Sequence, residues 1–209
     1  VKLFTYWRSS SSWRVRIALE YKGLDYEYIP VHLVNAGGEQ HQIEHLAKNA
    51  MAQIPVLEVG DVYISQSMAI FEYLEEMFPE PSLLPEDPVM RAYTRQLAEI
   101  VNSGIQPLQN LSVIQRLKSM DIDPKPWCQH FIRMGLLAYQ DLSKACGGQF
   151  SCGDAVTWAD ACLIPQLYNA RRFELDFSEF EYLSAIEEKL SALEPFINAH
   201  ASRQPDAVQ

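Results

Sequence analysis

Basic residues are scarce in this chain. Against 27 Asp and Glu stand only 17 Lys and Arg, a formal net charge of −10 over 209 residues, and a field of that sign repels nucleic acid and anionic membranes. Neither is expected as a partner, although a local basic pocket remains compatible with the total. Cysteine is sparse too: Cys128, Cys146, Cys152 and Cys162 all lie in the second half, without the paired close spacings of a metal site. A chain this long builds its own core and does not need disulfides, so reduced thiols are expected. No run reaches the ~18 apolar residues of a membrane-spanning helix. The opening Val1-Lys2-Leu3-Phe4-Thr5-Tyr6-Trp7 has no basic segment leading into a long apolar stretch, and a cytoplasmic protein is expected. There is no internal repeat, and no low-complexity tract beyond four successive serines. What remains is 48% hydrophobic and 21% charged, the composition of a globular chain forming one large domain or two small ones.

The first 80 residues alternate between element types. Residues 2–7 read as a strand, ended by the serines Ser9 to Ser12, and helix formers run from Trp13 to Tyr21 with Gly23 placed for a left-handed C-terminal cap. A second β-rich run covers Tyr26 to Leu33. Gly37-Gly38 then opens a polar segment that is helical only in part, around Gln40 to Ala47. Pro55 to Val59 and Val62 to Ser65 flank Gly60-Asp61, the pattern of two strands across a two-residue hairpin. Ser67 stands as the N-cap of a helix whose Ala69, Ile70, Tyr73, Leu74, Met77 and Phe78 recur at three- and four-residue spacing. A βαβ crossover makes parallel strands and a hairpin antiparallel ones, so this order predicts a small mixed sheet flanked by helices. Four prolines between Pro79 and Pro88 read as a linker. Beyond it, periodic segments at about 89–114, 126–145, 157–170 and 180–193 predict an all-α bundle. The expected class is α/β plus all-α, with domains at 1–80 and 89–209 joined by a linker at 81–88.

Three short segments suggest chemistry, each beside a plainer reading. Arg8-Ser9-Ser10-Ser11-Ser12-Trp13 sits at a helix start, where serine caps orphan N–H groups. One cap serine suffices, however, and several hydroxyls beside an arginine at the positive end of a helix dipole also suit an anion or a thiolate. In Gln53-Ile54-Pro55-Val56 the proline is either a tolerated first strand residue or a cis proline turning the Ile54 backbone towards a ligand. Gln66-Ser67 is either a cap or a carboxylate site. Thr157 with Asp160 resembles a capping box opening a buried helix. Among His32, His41, His45, His130 and His200, only His41 and His45 share an i, i+4 spacing; with no third ligand in view they read as a solvated face, and no metal is expected.

Together the segments are more specific. Arg8 to Leu19, Gln53 to Val56, and Gln66-Ser67 with Ala69-Ile70 and Glu72-Tyr73-Leu74 closely resemble the zeta class of glutathione transferases, which includes the maleylacetoacetate isomerases. The likeness continues through Leu83-Leu84-Pro85, Gly104 to Val113, Gly153-Asp154 with Thr157 and Ala159-Asp160, and Asn198 to Asp206, and so covers nearly the whole chain. It implies the glutathione transferase fold, with a thioredoxin-like domain followed by a helical one, and glutathione as the cofactor. By resemblance, the glutathione contacts fall on Ser9, Ser10, Ser11, Gln40, Ile54, Gln66, Ser67, Gln106, Asn110, Leu111 and Ser112, and the family's cis proline on Pro55. Ser9 is the implied hydroxyl facing the thiolate, with Ser10 as the alternative. Arg8 and Arg172 lie on the side of a small dicarboxylate substrate, and a homodimer is implied.

The implied reaction is glutathione-dependent cis–trans isomerisation of maleylacetoacetate to fumarylacetoacetate, in tyrosine and phenylalanine breakdown. Addition of a thiolate to the conjugated double bond leaves a single bond that rotates before elimination. Maleylpyruvate isomerisation, or transfer of glutathione to small α-halo acids, would use nearly the same residues, and a non-enzymatic transferase-like binding protein is a further alternative. Two positions depart from the family. Ser11 stands where it usually has cysteine, and Ala50 follows Asn49 where it usually has proline.

Overall fold

The computed structural model describes residues 1–208. The chain folds as two units, one made of Val1–Ser82 and the segment from Leu193 onward, the other of Leu83–Ala192.

In the first unit, β1 (Lys2–Thr5) leads into α1 (Ser10–Tyr21), β2 (Glu27–Pro30), a short α2 (Ile43–Leu46), the hairpin β3 (Val56–Val59) and β4 (Val62–Ser65), and α3 (Ser67–Met77). The strand order is β2-β1-β3-β4. β1 and β2 are parallel, while β1 with β3 and β3 with β4 are antiparallel, which is the mixed sheet expected. The hairpin turns at Gly60 with φ +58°, where glycine costs least. Gly23, at φ +64°, follows Lys22, the C-cap of α1, as anticipated. Leu3, Val56 and Leu57 of the sheet, Val15, Ile17 and Leu19 of α1, and Ile70, Phe71 and Leu74 of α3 are all buried, and α1 packs on α3.

Several boundaries differ from expectation. β1 and β2 each end sooner: their ladder runs only from Lys2 opposite Glu27 to Thr5 opposite Pro30, closed by the Val31 N–H donating to the Thr5 carbonyl at 2.7 Å. Helix α1 starts at Ser10 rather than Trp13: Ser9 is its N-cap, and Ser10 to Ser12 form its first turn. Ser67 is the first helical residue of α3 and not its cap, a place taken by Gln66 at φ +71°. The polar segment holds two single 3₁₀ turns and the four-residue α2. His45 is buried and its Nε2 lies 3.0 Å from the Gln53 carbonyl, so it belongs to a loop anchor and not to a solvated face; His41 is exposed.

The larger correction concerns the C-terminal segment. Expected with the helical domain, α9 (Glu194–Ala199) and the turn after it belong to the first unit, where α9 packs on α1. Polar contacts set this placement as much as burial does: the buried Arg16 Nε donates to the Ala199 carbonyl at 3.3 Å, and Asp206 accepts from the Trp7 N–H at 3.1 Å. The linker is likewise partly claimed. Lys22 Nζ donates to the carbonyls of Phe78 and Pro81 at 2.7 and 2.9 Å and pairs with Glu75 at 3.0 Å, so the unit boundary falls just after Ser82.

The second unit is helical. α4 (Pro88–Glu99) passes into a π-helical stretch (Ile100–Ile105) and a 3₁₀ turn (Gln106–Gln109), followed by α5 (Leu111–Lys118), α6 (Pro124–Cys146), α7 (Trp158–Arg172) and α8 (Glu181–Ser191). One helix expected over 89–114 is thus broken. Pro107 cannot donate within a continuing helix, and Asn110 restarts the chain as the N-cap of α5. Gly135 lets α6 pass close to this break, because a Cβ there would overlap the side chain of Ile105. α7 is buried along nearly its whole length. It opens with the anticipated capping box: Asp160 Oδ2 accepts from the Thr157 N–H at 2.8 Å and hydroxyl at 3.0 Å, and Oδ1 accepts from the Ser151 N–H at 2.9 Å.

Candidate active site

Strand register gathers the N-terminal candidates. Phe4 pairs with Val56 and Val56 with Ser65, while Thr5 pairs with Pro30. The chain therefore leaves β1 towards Ser9, enters β3 from Ile54-Pro55, leaves β4 into Gln66-Ser67 and leaves β2 towards Gln40, all at one edge of the sheet. Residues scattered over 60 positions of sequence are brought together by four short strands, at the kind of sheet edge where open α/β folds place ligands.

Ser9 sits at the mouth of α1. Its N–H donates to the Tyr6 carbonyl at 3.0 Å, and its Oγ accepts from the Ser12 N–H at 3.3 Å. A hydroxyl that accepts in this way still has its own proton to give. Ser10 and Ser11 occupy the first two positions of the helix, whose N–H groups have no intrahelical acceptor. Ser10 is buried, Ser11 is half-buried, and Ser12 is fully buried with a hydroxyl that meets no partner among the described residues. Arg8 is half-buried, its guanidinium 5.3 Å from the Trp7 ring centre. This turn presents hydroxyls and N–H dipoles with no carboxylate in their own segment, an arrangement that favours an anion.

Ser67 repeats the pattern at α3. Its Oγ accepts from Arg14 Nη1 at 3.3 Å, again leaving the hydroxyl proton to donate outward. Arg14 lies one turn into α1 and is fully buried, so this contact sets the two helix N-termini side by side. Arg14 lies within the Arg8 to Leu19 segment but has no role assigned from the sequence; a charged residue among Trp13, Val15, Ile17, Ala18 and Leu19 was the available signal. Between the two helices, the Ile54-Pro55 bond is cis. The Gln53 carbonyl before it accepts from Asn49 Nδ2 at 2.8 Å and contacts His45 Nε2, which anchors the loop. Ala50, where the family has proline, is exposed, and the anchor runs through its neighbour Asn49. Gln40 is buried, its Nε2 donating to the Leu33 carbonyl at 3.3 Å while its Oε1 meets no partner among the described residues.

The remaining candidates lie in the second unit. Gln106 opens the 3₁₀ turn and is half-buried. Asn110 Oδ1 accepts from the Ser112 N–H and hydroxyl, both at 3.1 Å, so Asn110, Leu111 and Ser112 form one capped helix start. Two residues that sequence reading did not single out support this segment: buried Gln109 donates to Gln166 Oε1 on α7 at 2.6 Å, and Trp127 Nε1 donates to the Leu108 carbonyl at 2.9 Å. Arg172 ends α7, exposed, with Nη1 donating to Asn169 Oδ1 at 3.1 Å. Among the described residues, no helix is long and apolar enough to cross a membrane, and no group of three His, Cys, Asp or Glu side chains is placed to hold a metal ion.

Comparison with known proteins gives this geometry its context. Residues 1–76 match the family model for the glutathione S-transferase N-terminal domain. The chain is 46% identical to the maleylacetoacetate isomerase of Rattus norvegicus over 204 residues, 98% of this chain and 94% of the rat protein. It superposes on the Anaeromyxobacter dehalogenans maleylacetoacetate isomerase with glutathione bound in the active site at a TM-score of 0.90, with 49% identity and coverage of 99% and 97% of the two chains. A bacterial maleylpyruvate isomerase, described as a zeta-class glutathione transferase in its holo form, superposes at 0.96 with 37% identity over the full length of both chains. The chain belongs to the glutathione transferases, with the thioredoxin-like N-terminal domain and helical C-terminal part of that fold, and within them to the zeta class that contains the maleylacetoacetate isomerases.

Proposed function

We propose that this protein is a glutathione-dependent isomerase that converts maleylacetoacetate to fumarylacetoacetate. The observation that carries the reading is the convergence, at one end of the sheet, of a serine-capped helix N-terminus, the entry to β3 at Ile54-Pro55 and a second helix N-terminus at Ser67, in a chain that shares 46% of its residues with a maleylacetoacetate isomerase over nearly its whole length. The first unit is the glutathione-binding domain in this reading. Bound glutathione supplies a thiolate nucleophile that adds to the conjugated double bond and leaves again once the bond has rotated.

The protein's own part is electrostatic. A free thiol has a pKa near ~8.5 and needs help to ionise at neutral pH. The Ser9 hydroxyl, with its acceptor side already occupied by the Ser12 N–H, donates to the sulfur, and the first N–H groups of α1 add their dipoles. Ser10 is the alternative donor, and Ser11 needs only to be small and polar. The Ser67 hydroxyl and the N-terminal N–H groups of α3, with Gln66, hold a glutathione carboxylate. The unpartnered Gln40 Oε1 accepts a hydrogen bond from glutathione, and Ile54 offers its backbone beside Pro55; Gln106, Asn110, Leu111 and Ser112 are further glutathione contacts implied by the resemblance. Arg8 and Arg172 hold the substrate carboxylates and the negative charge that builds on its oxygens, a task suited to planar guanidinium groups.

A second reading, maleylpyruvate isomerisation, is favoured by the full-length superposition on a maleylpyruvate isomerase. Comparing kcat/KM for the two substrates decides between them: a higher value for maleylacetoacetate supports the first reading, a higher value for maleylpyruvate the second. Turnover of neither would leave transfer to small α-halo acids or a non-enzymatic binding role. The surroundings that fit the first reading are a cytoplasmic homodimer acting in tyrosine and phenylalanine breakdown.

A further inference from the structure

Trp7 lies between β1 and α1, outside any strand or helix, yet both of its peptide groups are taken. Its N–H donates to Asp206 Oδ2 at 3.1 Å, and its carbonyl accepts from Arg16 Nη2 at 2.8 Å. Arg16 is fully buried and spends its other donors nearby, on the Tyr6 carbonyl at 3.2 Å, the Thr5 hydroxyl at 3.1 Å and the Ala199 carbonyl. The Tyr6 carbonyl is the same group that receives the Ser9 N–H. The other carboxylate oxygen of Asp206 accepts from the Tyr28 hydroxyl on β2. The segment that carries Asp206 is itself braced, because Gln204 Nε2 donates to the carbonyls of Asn198 and His200, each at 2.9 Å. The two peptide units flanking Trp7, two residues before Ser9, are therefore held by Asp206 of the C-terminal segment and by Arg16 of α1, which that segment also contacts through Ala199.

We propose that Asp206 is a positioning residue for the thiolate site, holding the Trp7 peptide against Arg16 so that Ser9 and the N-terminus of α1 keep one fixed direction. The proposal rests on the role given to Ser9 above. Its cause is geometric: a helix dipole and a hydroxyl stabilise a thiolate only when aimed at it, and a misplacement of ~1 Å at a reacting group costs on the order of 10²-fold in rate. Nothing within β1 or α1 supplies the Trp7 N–H with an acceptor, so removing the carboxylate frees the backbone at this point.

The test compares Asp206→Ala, Asp206→Asn and Tyr28→Phe, with Ser9→Ala alongside. Each folded variant is assayed for glutathione-dependent isomerisation across pH, and the ionisation of the bound glutathione thiol is followed by thiolate ultraviolet absorbance. Asp206→Ala is expected to lower kcat by about tenfold or more and to move thiol ionisation to higher pH, with substrate KM little changed. Asp206→Asn, which keeps an acceptor for the Trp7 N–H, should recover most of the loss. Tyr28→Phe, which keeps the Trp7 contact but releases the second oxygen, should give a smaller shift in the same direction. If Asp206→Ala does not fold, Tyr28→Phe decides: a wild-type thiol profile in that variant overturns the proposal. A lowered melting temperature with unchanged kcat and thiol profile in Asp206→Ala also overturns it, leaving a purely structural tie. Failure of the underlying reading has its own signature, since Ser9→Ala would then leave the thiol profile unmoved. A shift in Ser9→Ala with silence at Asp206 removes only the positioning role.

Discussion

Replacing Ser9 by alanine separates two functions of one hydroxyl. As an N-cap, Ser9 Oγ accepts from the Ser12 N–H at 3.3 Å, a long contact, so losing it should cost about 1 kcal/mol of stability or less. As a donor to the glutathione thiolate it should matter more: removing one well-aimed donor to a developing anion typically costs ~10²–10³-fold in turnover, or about 2.7–4 kcal/mol. A domain with the usual stability of about 5–15 kcal/mol stays folded after the smaller loss, so the activity change is read on intact protein. The assay is glutathione-dependent isomerisation over a range of glutathione concentrations, with thermal unfolding measured on the same samples. Two further variants sharpen the result. Ser9→Asn caps a helix as well as serine does, so it should recover the stability but not the turnover. Ser9→Thr keeps both hydroxyl functions and should retain much of the activity. A Ser9→Ala enzyme with wild-type turnover, or a Ser9→Asn enzyme with full activity, would refute the assignment and move attention to Ser10.

Ser11→Cys restores the family residue; because the reacting sulfur comes from glutathione, turnover should change by less than about tenfold, ~1.4 kcal/mol of barrier. A silent native protein that gained strong activity from this change would contradict that. Arg172→Ala should raise KM for the dicarboxylate substrate by about tenfold or more, the loss of a charge-assisted contact of ~1.5–3 kcal/mol, and leave KM for glutathione nearly unchanged; equal effects on both would reassign the residue. Asp160→Ala leaves the Ser151 N–H and both Thr157 donors without their acceptor in a buried place, and chemical denaturation should show a loss of about 3 kcal/mol or more. Burial pushes the Asp160 carboxyl above the ordinary aspartate value, against the opposing effect of its hydrogen bonds from Ser151 and Thr157. The folded state then holds this proton more tightly than the unfolded one, so its contribution to stability is fullest in acid and is lost as pH rises through the raised value. The stability advantage of wild type over Asp160→Asn should shrink over that rise, and an advantage that grew would contradict the sign. α4 leaves Val89 and Tyr93 exposed, and sedimentation at micromolar concentration should find a homodimer; a monomer alone would count against it.

What the sequence made legible was local. Thr157 and Asp160 complete their capping box within one helical turn, and Gly60-Asp61 sets its hairpin between adjacent strands, so neither needs information from elsewhere in the chain. The break at Ile100–Gln109 was harder because its apolar spacing continues through Gly104 and Pro107, and it is the close passage of α6 at Gly135 that accommodates the irregular backbone. Ser67 looked like a cap for a comparable reason: serine before an apolar run is the usual signal, but here the Oγ receives a guanidinium from Arg14, 53 residues earlier. The placement of α9 with the first unit was out of reach altogether. It depends on Arg16 and Asp206 finding backbone partners across most of the chain length, and no periodicity within Leu193 to Asp206 carries that information.

The central claim is that the protein uses the sulfur of bound glutathione to isomerise maleylacetoacetate. Its most direct test is to follow fumarylacetoacetate formation with glutathione present in far smaller amount than substrate, and again with S-methylglutathione, which keeps the peptide but blocks the sulfur. Many turnovers per glutathione, no net loss of the free thiol and no turnover with the blocked analogue are the expected results. Tight glutathione binding without isomerisation, or isomerisation that persists when the sulfur is blocked, would contradict the account.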